Sequence, residues 1–310
     1  MPPARPLDLS TSRLALVLNA ASGRKDALAK ERVIRAQLEP MVASFTVHAA
    51  RKGSAIVGVT REAVLQGADI VAALGGDGTQ SAVAGVLAGR DVAMAVLPGG
   101  TFNYFARGLG VGDTLETALQ TLQTGQVITI DLGEVNGRIF LNNASFGIYP
   151  EILERREAIY RQWGRSRLAA YWSVFLTLRD IRDSMHLTLT AGCETRHYHT
   201  PLAFVARSPY QLEALGLDGA EAVRSGHFAL FLAKGKRPAE LMIASLRLAL
   251  GKVARGQDFD LVIADALTID TRHPTRLVAF DGEKARLTGP FHLQIYRDAL
   301  SVIVPATDAA

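Results

Sequence analysis

Glycine, aspartate and threonine are concentrated in one short segment, Gly75–Thr79, which reads Gly-Gly-Asp-Gly-Thr. It follows the apolar run Ile70–Leu74 and precedes a segment of helical character, Gln80–Leu87. A glycine turn between a strand and a helix leaves backbone N–H groups free to bind a phosphate. Asp-Gly is also a common turn dipeptide, so the segment by itself fits an ordinary tight turn equally well. The carboxylate of Asp77 could orient a hydroxyl, hold Mg²⁺ beside phosphates, or cap the turn or the following helix.

Two more loops of small polar residues follow predicted strands in the same half of the chain. Asn19–Lys25 comes after the apolar run Arg13–Leu18, and Gly99–Asn103 comes shortly after the run Val92–Leu97. Strands that alternate with helices at this spacing predict a mostly parallel sheet covered by helices on both faces. Ligands bind such sheets at the carboxyl ends of the strands. We therefore expect the three loops to lie together at one sheet edge and to form a phosphate site.

The other elements of this half follow from hydrophobic patterns and breakers. Strands are expected at Arg13–Leu18, Ser44–Ala49, Ile70–Leu74 and Val92–Leu97, and helices at Asp26–Leu38, Ser54–Gln66, Gln80–Leu87 and Thr114–Gln123. Ser54 is expected to be the N-cap of its helix. None of the three loops has the Walker A pattern GxxxxGK[ST] or the dinucleotide pattern GxGxxG, so the site belongs to a different class of phosphate-binding loop.

The second half of the chain is predicted to form a domain of antiparallel strands. Strands are expected at Val127–Gly133, Arg138–Ser145, His186–Thr190, Thr195–Val205, His227–Ala233, Asp260–Asp270 and Thr275–Phe280, and helices at Pro150–Arg161 and Arg167–Arg182. The dipeptide Asn136-Gly137 is a strong hairpin signal between the first two strands. No internal repeat is evident.

A pair of carboxylates, Asp281 and Glu283, follows the last of these strands in the sequence Phe-Asp-Gly-Glu. Asp281-Gly282 predicts a hairpin turn. A carboxylate is also suited to accept the proton of an alcohol during phosphoryl transfer. The two interpretations are compatible, because a turn can place carboxylates in a site.

Three motifs together resemble the diacylglycerol kinase catalytic domain, found in diacylglycerol, sphingosine and related bacterial lipid kinases. They are NAASG at Asn19–Gly23, GGDGT at Gly75–Thr79 and PGGTFNYFAR at Pro98–Arg107. The resemblance implies a three-layer α/β ATP-binding domain with a mostly parallel sheet, formed by residues 1–125 and 290–310. It also implies an antiparallel β-sandwich domain for the lipid substrate, residues 126–289, after which Ala299–Val304 returns to the first domain. The chain departs from the family pattern at Ala20, Ala50 and Tyr104.

The same resemblance implies ATP and Mg²⁺ as cofactors, with ATP in a cleft between the domains. The nucleotide-binding residues it implies are Asn19, Ser22, Gly23, Gly75, Gly76, Asp77, Gly78, Thr79, Thr101 and Asn103, with Asp77 as the metal ligand. The catalytic residues it implies are Asp77 and a general base, either Asp281 or Glu283, with Glu283 favoured. The expected reaction is phosphorylation of a lipid hydroxyl; an NAD kinase, which shares GGDGT, and a non-catalytic lipid- or nucleotide-binding relative are the alternatives.

The composition limits the classes of partner and the location that the chain could have. The chain has 310 residues and a net charge of +4, which is too mild to indicate a nucleic-acid partner. Its single cysteine, Cys193, excludes a disulfide within the chain and favours a reducing, cytoplasmic setting. No apolar run approaches the roughly 20 residues that a membrane span requires. We expect a lipid substrate at a membrane surface, a cytoplasmic protein with peripheral attachment to the inner membrane face left open, and homodimer formation also left open.

Overall fold

The structure is a computed structural model and describes residues 5–20, 24–150, 153, 184–235, 238–249 and 257–306. The chain divides into two compact units. Unit 1 comprises Met1–Leu132 and Tyr296–Ala310, and unit 2 comprises Gly133–Ile295. Both boundaries lie a few residues beyond the ones expected from the sequence.

The strands and helices are numbered in chain order. The strands are β1 (Arg5–Pro6), β2 (Arg13–Asn19), β3 (Ser44–Ala50), β4 (Ile70–Gly75), β5 (Ala93–Pro98), β6 (Gln126–Val135), β7 (Arg138–Phe140), β8 (Asn143–Gly147), β9 (Met185–Ala191), β10 (Glu194–Thr200), β11 (Leu202–Ala206), β12 (Phe228–Ala233), β13 (Phe259–Ala264), β14 (Ala266–Thr271), β15 (Thr275–Phe280), β16 (Glu283–Thr288) and β17 (Phe291–Val304). The α-helices are α1 (Arg24–Leu38), α2 (Ile56–Leu65), α3 (Asp77–Leu87), α4 (Tyr104–Gly108), α5 (Leu115–Thr124), α6 (Pro209–Ala214), α7 (Ala220–Arg224) and α8 (Pro238–Ala249). Helices α4, α6, α7 and α8 and strands β1 and β16 were not expected.

A parallel sheet forms the core of unit 1. Its strand order is β17-β5-β4-β2-β3, and the register between β4 and β5 pairs Leu74 with Leu97 and Gly75 with Pro98. The inner strands are buried on both sides, which explains why they read as continuous apolar runs instead of alternating ones. The returning strand expected near the end of the chain is confirmed, because β17 pairs in parallel with β5 through Val302 and Met94.

The starts of α3 and α2 differ from the prediction for identifiable reasons. The helix after the glycine segment begins at Asp77, three positions before Gln80, because the extended Gly76 serves as its N-cap and an acidic residue occupies its first turn. The expectation that Ser54 caps α2 is wrong. A short 3₁₀ turn at Gly53–Ala55 precedes α2, and the helix starts without a side-chain cap.

Unit 2 contains two antiparallel sheets. One has the order β10-β9-β14-β17 and the other β13-β12-β11-β8-β15-β16. Side chains from both sheets share one core, in which Phe146 of β8 packs edge-on against Phe291 of β17 with ring centroids 5.0 Å apart. The predicted antiparallel second domain is confirmed. The hairpin at Asn136-Gly137 is confirmed as well, since both residues have positive φ and β6 pairs with β7.

Three segments expected as single strands are each broken into two. Arg138–Ser145 becomes β7 and β8, Thr195–Val205 becomes β10 and β11, and Asp260–Asp270 becomes β13 and β14, and at each break the chain passes from one sheet to the other. Pro201 lies at the second break. It has no N–H to donate to a ladder, and its carbonyl accepts a hydrogen bond from Ile148 N at 2.9 Å.

The helices predicted at 150–161 and 167–182 lie almost wholly outside the described residues. Among the helices of the described ranges, none has the length and apolar character needed to cross a membrane.

Candidate active site

The first and second predicted loops meet at the carboxyl edge of the unit 1 sheet. Asn19 ends β2 and Thr79 lies in the first turn of α3, which follows the neighbouring strand β4. The Asn19 side-chain amide donates to the Thr79 hydroxyl at 3.2 Å. Two residues expected to bind one nucleotide are therefore in direct contact, although 60 positions separate them in the sequence.

The second and third loops touch through their glycines. Gly99 N donates to the carbonyl oxygen of Gly75 at 2.9 Å. A Cβ atom at Gly100 would lie 2.6 Å from the Cα atom of Gly76, and one at Gly75 would lie 2.5 Å from the Thr79 side chain. Real Cβ atoms do not approach other atoms this closely. The glycines are needed here because two backbone segments pass each other without room for side chains.

Asn103 shapes the third loop from within. Its Oδ1 accepts a hydrogen bond from Gly100 N at 2.8 Å, and its Nδ2 donates to the Gly100 carbonyl at 3.3 Å. The residue is buried and has a left-handed backbone with φ of 51°, which asparagine tolerates better than most residues. Its side chain therefore fixes the backbone of the loop. Thr101, at the tip of the same loop, is exposed.

Asp77 links the glycine segment to the short helix α4. One oxygen of its carboxylate accepts a hydrogen bond from Phe105 N at 3.0 Å, in the first turn of α4. The first N–H groups of a helix have no partner within the helix, so this contact satisfies one of them. Asp77 thus supports a helix start that is distant in sequence, whereas the capping role considered from the sequence concerned its own turn or helix. The carboxylate is half-buried and negatively charged at the edge where the loops meet.

Gln80 is a site residue that the sequence did not reveal. It lies under the loops in α3, is 2% exposed, and its side-chain amide donates to main-chain carbonyls of both β4 and β5. A glutamine at the start of an apolar helix is usually read as a solvent-facing residue, so its type and position carried no signal. Two of the predicted nucleotide-binding residues, Ser22 and Gly23, lie outside the described residues.

In unit 2 the segment Phe280–Glu283 forms the predicted hairpin turn. Strands β15 and β16 are antiparallel with Phe280 opposite Glu283, and both turn residues have positive φ, 48° at Asp281 and 88° at Gly282. This is the backbone expected of a two-residue type I′ turn.

Asp281 is 6% exposed, and its carboxylate binds three consecutive backbone N–H groups. Oδ2 accepts from Leu141 at 2.7 Å, and Oδ1 accepts from Asn142 at 2.7 Å and from Asn143 at 3.1 Å. These N–H groups lie between the end of β7 and the first residue of β8, where the chain passes from one strand to the next. Asp281 therefore holds a chain crossing in place, and its own N–H donates to the Asn143 carbonyl at 3.1 Å.

Glu283 presents the second carboxylate of this turn. It is the first residue of β16 and, unlike Asp281, its side chain is exposed. The two carboxylates are only two positions apart, but one is enclosed by main-chain donors and the other faces solvent. The structure thus separates two residues that the sequence could not tell apart.

No group of three histidine, cysteine, aspartate or glutamate side chains in the described ranges is arranged to hold a metal ion by itself. Magnesium in kinases commonly takes only one or two carboxylates from the protein and the rest of its ligands from phosphates and water. A single carboxylate such as that of Asp77 fits this donor set.

The family match of the chain lies in its first half. Residues 13–135 match the family described as the diacylglycerol kinase catalytic domain. A protein named Diacylglycerol kinase from Bacillus subtilis strain 168 is 32% identical over 143 residues, 45% of this chain and 47% of that protein. A protein named Probable lipid kinase YegS-like from Cronobacter sakazakii is 37% identical over 143 residues, 44% of this chain and 46% of that protein. The matched segment covers less than half the length of either relative.

The fold is shared over nearly the whole chain. A crystal structure of a diacylglycerol kinase from Bacillus anthracis strain Sterne superposes with a TM-score of 0.71 at 19% sequence identity, covering 94% of this chain and 97% of that chain. At this level of identity the likeness establishes the fold alone, and it confirms the expected fold class.

Proposed function

We propose that the protein is a lipid kinase, because residues 13–135 match the diacylglycerol kinase catalytic domain that the three loop motifs resemble. It transfers the γ-phosphoryl group of ATP to the hydroxyl of a lipid. The observation that carries the proposal is the close packing of Gly75–Thr79 against Gly99–Asn103, with Asn19 bonded to Thr79 at the same edge.

The glycine loops supply the phosphate-binding part of the proposal. Gly75, Gly76 and Gly100 leave the backbone bare, so its N–H groups can approach a triphosphate without steric hindrance. The side chains of Asn19 and Thr79 add polar groups at the rim. Ser22, Gly23, Gly78, Thr101 and Asn103 complete the proposed nucleotide set, Asn103 by holding its loop in shape.

Asp77 is proposed to hold Mg²⁺. Its position at the start of α3, between the glycine loops, suits a carboxylate that would hold a divalent cation beside phosphates. Such a cation would supply positive charge that offsets the negative charge of the phosphates. The hydrogen bond from Phe105 N restrains the rotation of the carboxylate, so the protein holds it ready in one orientation.

Glu283 is the proposed general base. Both oxygens of Asp281 already accept backbone hydrogen bonds, and protonation would break at least one of them. Glu283 is exposed, so a lipid hydroxyl can reach its carboxylate. In the proposed step the lipid oxygen attacks the γ-phosphorus and its proton passes to Glu283. The bond between the γ-phosphorus and the bridging oxygen breaks, and ADP leaves. Asp281 holds the turn that presents Glu283.

The acceptor is proposed to be a lipid because the matched relatives carry the names diacylglycerol kinase and lipid kinase. Diacylglycerol, a sphingoid base, phosphatidylglycerol and a polyprenol all present a hydroxyl beside apolar chains. The protein would meet such a substrate at a membrane surface, from a cytoplasmic location.

The test is transfer of labelled phosphate. The protein is incubated with γ-labelled ATP, Mg²⁺ and vesicles made from a total lipid extract, and the lipids are then extracted and separated. Labelled lipid supports the proposal. If NAD supplied in a parallel reaction becomes labelled and no lipid does, the protein is an NAD kinase. If ATP binds and neither acceptor is labelled, it is a non-catalytic relative.

A further inference from the structure

We infer that Gln80 is a positioning residue for the nucleotide loops, which it holds through the backbone without touching the substrate. The inference rests on the proposed function for its consequences in catalysis, but its structural part can be tested separately. It starts from the location of this buried amide, directly beneath the point where two glycine loops leave the sheet.

The Gln80 amide nitrogen donates to three main-chain carbonyls. The acceptors are the oxygen of Ala73 at 2.9 Å, that of Leu97 at 3.1 Å and that of Gly75 at 3.2 Å. Ala73 and Gly75 belong to β4 and Leu97 belongs to β5. One side chain therefore links the last residues of two adjacent parallel strands, immediately before each strand opens into its loop.

The Gly75 carbonyl is shared between two donors. It accepts Gly99 N at 2.9 Å as well as the Gln80 amide, so both of its lone pairs can be used. This is the point at which the second and third loops are closest, because Gly75, Gly76, Gly99 and Gly100 lie within contact distance of one another. The Gln80 amide thus fixes the carbonyl from which the loop–loop contact is built.

A side chain that only filled space at position 80 would not need hydrogen-bond donors. Gln80 is 2% exposed and its Oε1 has no hydrogen-bond partner in the described part of the chain, so burial of this side chain leaves one polar atom unsatisfied. Leaving a buried acceptor unsatisfied is unfavourable. A leucine or methionine of similar size would avoid that cost. What glutamine adds is the pair of N–H donors that hold the two strand ends together.

Phosphoryl transfer depends on such alignment, because small displacements of a phosphate-binding backbone lower the rate and the affinity strongly. The loop glycines have no side chains that could hold the loops in place. In this structure the anchor of the second loop to the strand of the third is supplied from below by Gln80, and the anchor to the first loop is supplied from the rim by Asn19 and Thr79.

The test compares Gln80→Met with Thr60→Val. Methionine keeps the length and burial of the side chain and removes the N–H donors. Thr60 is a matched control in the same unit: it is fully buried in α2, and its hydroxyl donates to the Ile56 carbonyl of the same helix at 2.7 Å. Each variant loses buried hydrogen bonding, so both are expected to lower the thermal unfolding temperature.

The first readout is amide hydrogen exchange, which needs no activity. Gln80→Met is expected to speed exchange in peptides covering 74–79 and 97–103 and to leave the peptide covering α5 unchanged, whereas Thr60→Val speeds exchange in α2. Equal exchange of the loop peptides in Gln80→Met and the unmodified protein would overturn the positioning role, whatever the enzyme does.

The second readout is kinetic. Gln80→Met is expected to raise KM for ATP on the order of tenfold at saturating lipid, while KM for lipid stays unchanged and Thr60→Val leaves both constants unchanged. If Gln80→Met loosens the loops but KM for ATP stays the same, the role is structural only and the inference is wrong. If the unmodified protein fails to use ATP at all, the proposed function fails, and the exchange result still decides the role of Gln80.

Discussion

Asn19 and Thr79 are joined by a side-chain hydrogen bond of 3.2 Å at the carboxyl edge of the parallel sheet. Asn19 ends one strand and Thr79 opens the helix after the next, so the contact shows that two polar loops reach the same place. Around it, Gly75, Gly76, Gly99 and Gly100 bring a third loop into backbone contact. This edge carries the small polar side chains of Asn19 and Thr79 and the carboxylate of Asp77.

The packed glycines predict a sharp steric effect at Gly100. A methyl group there would lie 2.6 Å from the Gly76 Cα atom and 2.9 Å from Asn103 Oδ1. We expect Gly100→Ala to lower the free energy of unfolding by about 1–3 kcal/mol and to weaken ATP binding, because two backbones must separate. Chemical denaturation and a fluorescent ATP analogue measure the two effects.

Gly58 provides the matched control for this substitution. It lies within α2, and a Cβ atom there meets nothing within 4 Å. Gly58→Ala should raise stability by about 0.5–1 kcal/mol through helix propensity and leave nucleotide binding unchanged. Equal behaviour of the two alanine variants would show that the loops do not pack as described.

Two substitutions of Asp77 are expected to separate its effect on stability from its effect on activity. Asp77→Asn keeps an oxygen that can accept the Phe105 N–H and removes the charge, whereas Asp77→Ala removes both. We expect both variants to lose activity on the order of a hundredfold or more, since the negatively charged metal ligand is gone in each. Only Asp77→Ala should also lower the unfolding temperature. An Asp77→Asn protein that retained full activity would rule out a metal-binding or catalytic role.

Substitution of Asp281 is expected to lower stability, because its carboxylate accepts hydrogen bonds from three backbone N–H groups. Asp281→Ala leaves the donors of Leu141, Asn142 and Asn143 without their acceptor and should lower the free energy of unfolding by about 3 kcal/mol. Asp281→Asn should be milder, since asparagine tolerates positive φ and retains one acceptor oxygen. Exposed Asp270, on β14 of the same unit, is the control, and Asp270→Ala should change stability little. A similar small effect at Asp281 would contradict its proposed structural role.

The Arg13–Asp69 pair predicts a pH dependence of stability. The Asp69 pKa is lowered from 3.8, chiefly by the hydrogen bond from the Arg13 side chain, whose nitrogen lies 2.8 Å from an Asp69 oxygen. Because the folded-state pKa is the lower one, the contribution is fully present above the ordinary carboxyl value and is lost as pH falls through the folded-state value. Both side chains are about half exposed, so solvent screening keeps the effect small.

The comparison that checks this effect is Asp69→Asn against the unmodified protein. Unfolding temperatures measured from pH 7 down to pH 3 should differ most near neutral pH and converge in acid. A difference that grows as the pH falls would contradict the assignment.

Much of unit 1 could be predicted because its signals are local. Apolar runs such as Leu14–Leu18 indicate buried parallel strands. Because the carboxyl ends of parallel strands lie at one edge of the sheet, the loops that contain Asn19, Gly75–Thr79 and Gly99–Asn103 are expected to lie together. The roles of Gln80 and Asp281 could not be predicted. Gln80 acts through carbonyls of two strands that only the folded sheet brings together, and Asp281 binds N–H groups that lie 138 to 140 positions earlier in the sequence.

The corners of unit 2 were missed for a related reason. Pro201 interrupts the ladder, but the residues on either side of it do not show that β10 and β11 belong to different sheets. The partner strands decide where a strand leaves its sheet. That information is not present in any single segment.

The most direct test of the central claim is transfer of labelled γ-phosphate from ATP into the lipid fraction, measured for the unmodified protein, Glu283→Gln and Asp281→Asn side by side. The lipid kinase account predicts labelled lipid with the unmodified protein. It predicts a loss on the order of a hundredfold or more in kcat for Glu283→Gln at unchanged unfolding temperature, and a smaller loss for Asp281→Asn that accompanies lower stability. Absence of labelled lipid from the unmodified protein, with label appearing in NAD instead, would contradict it.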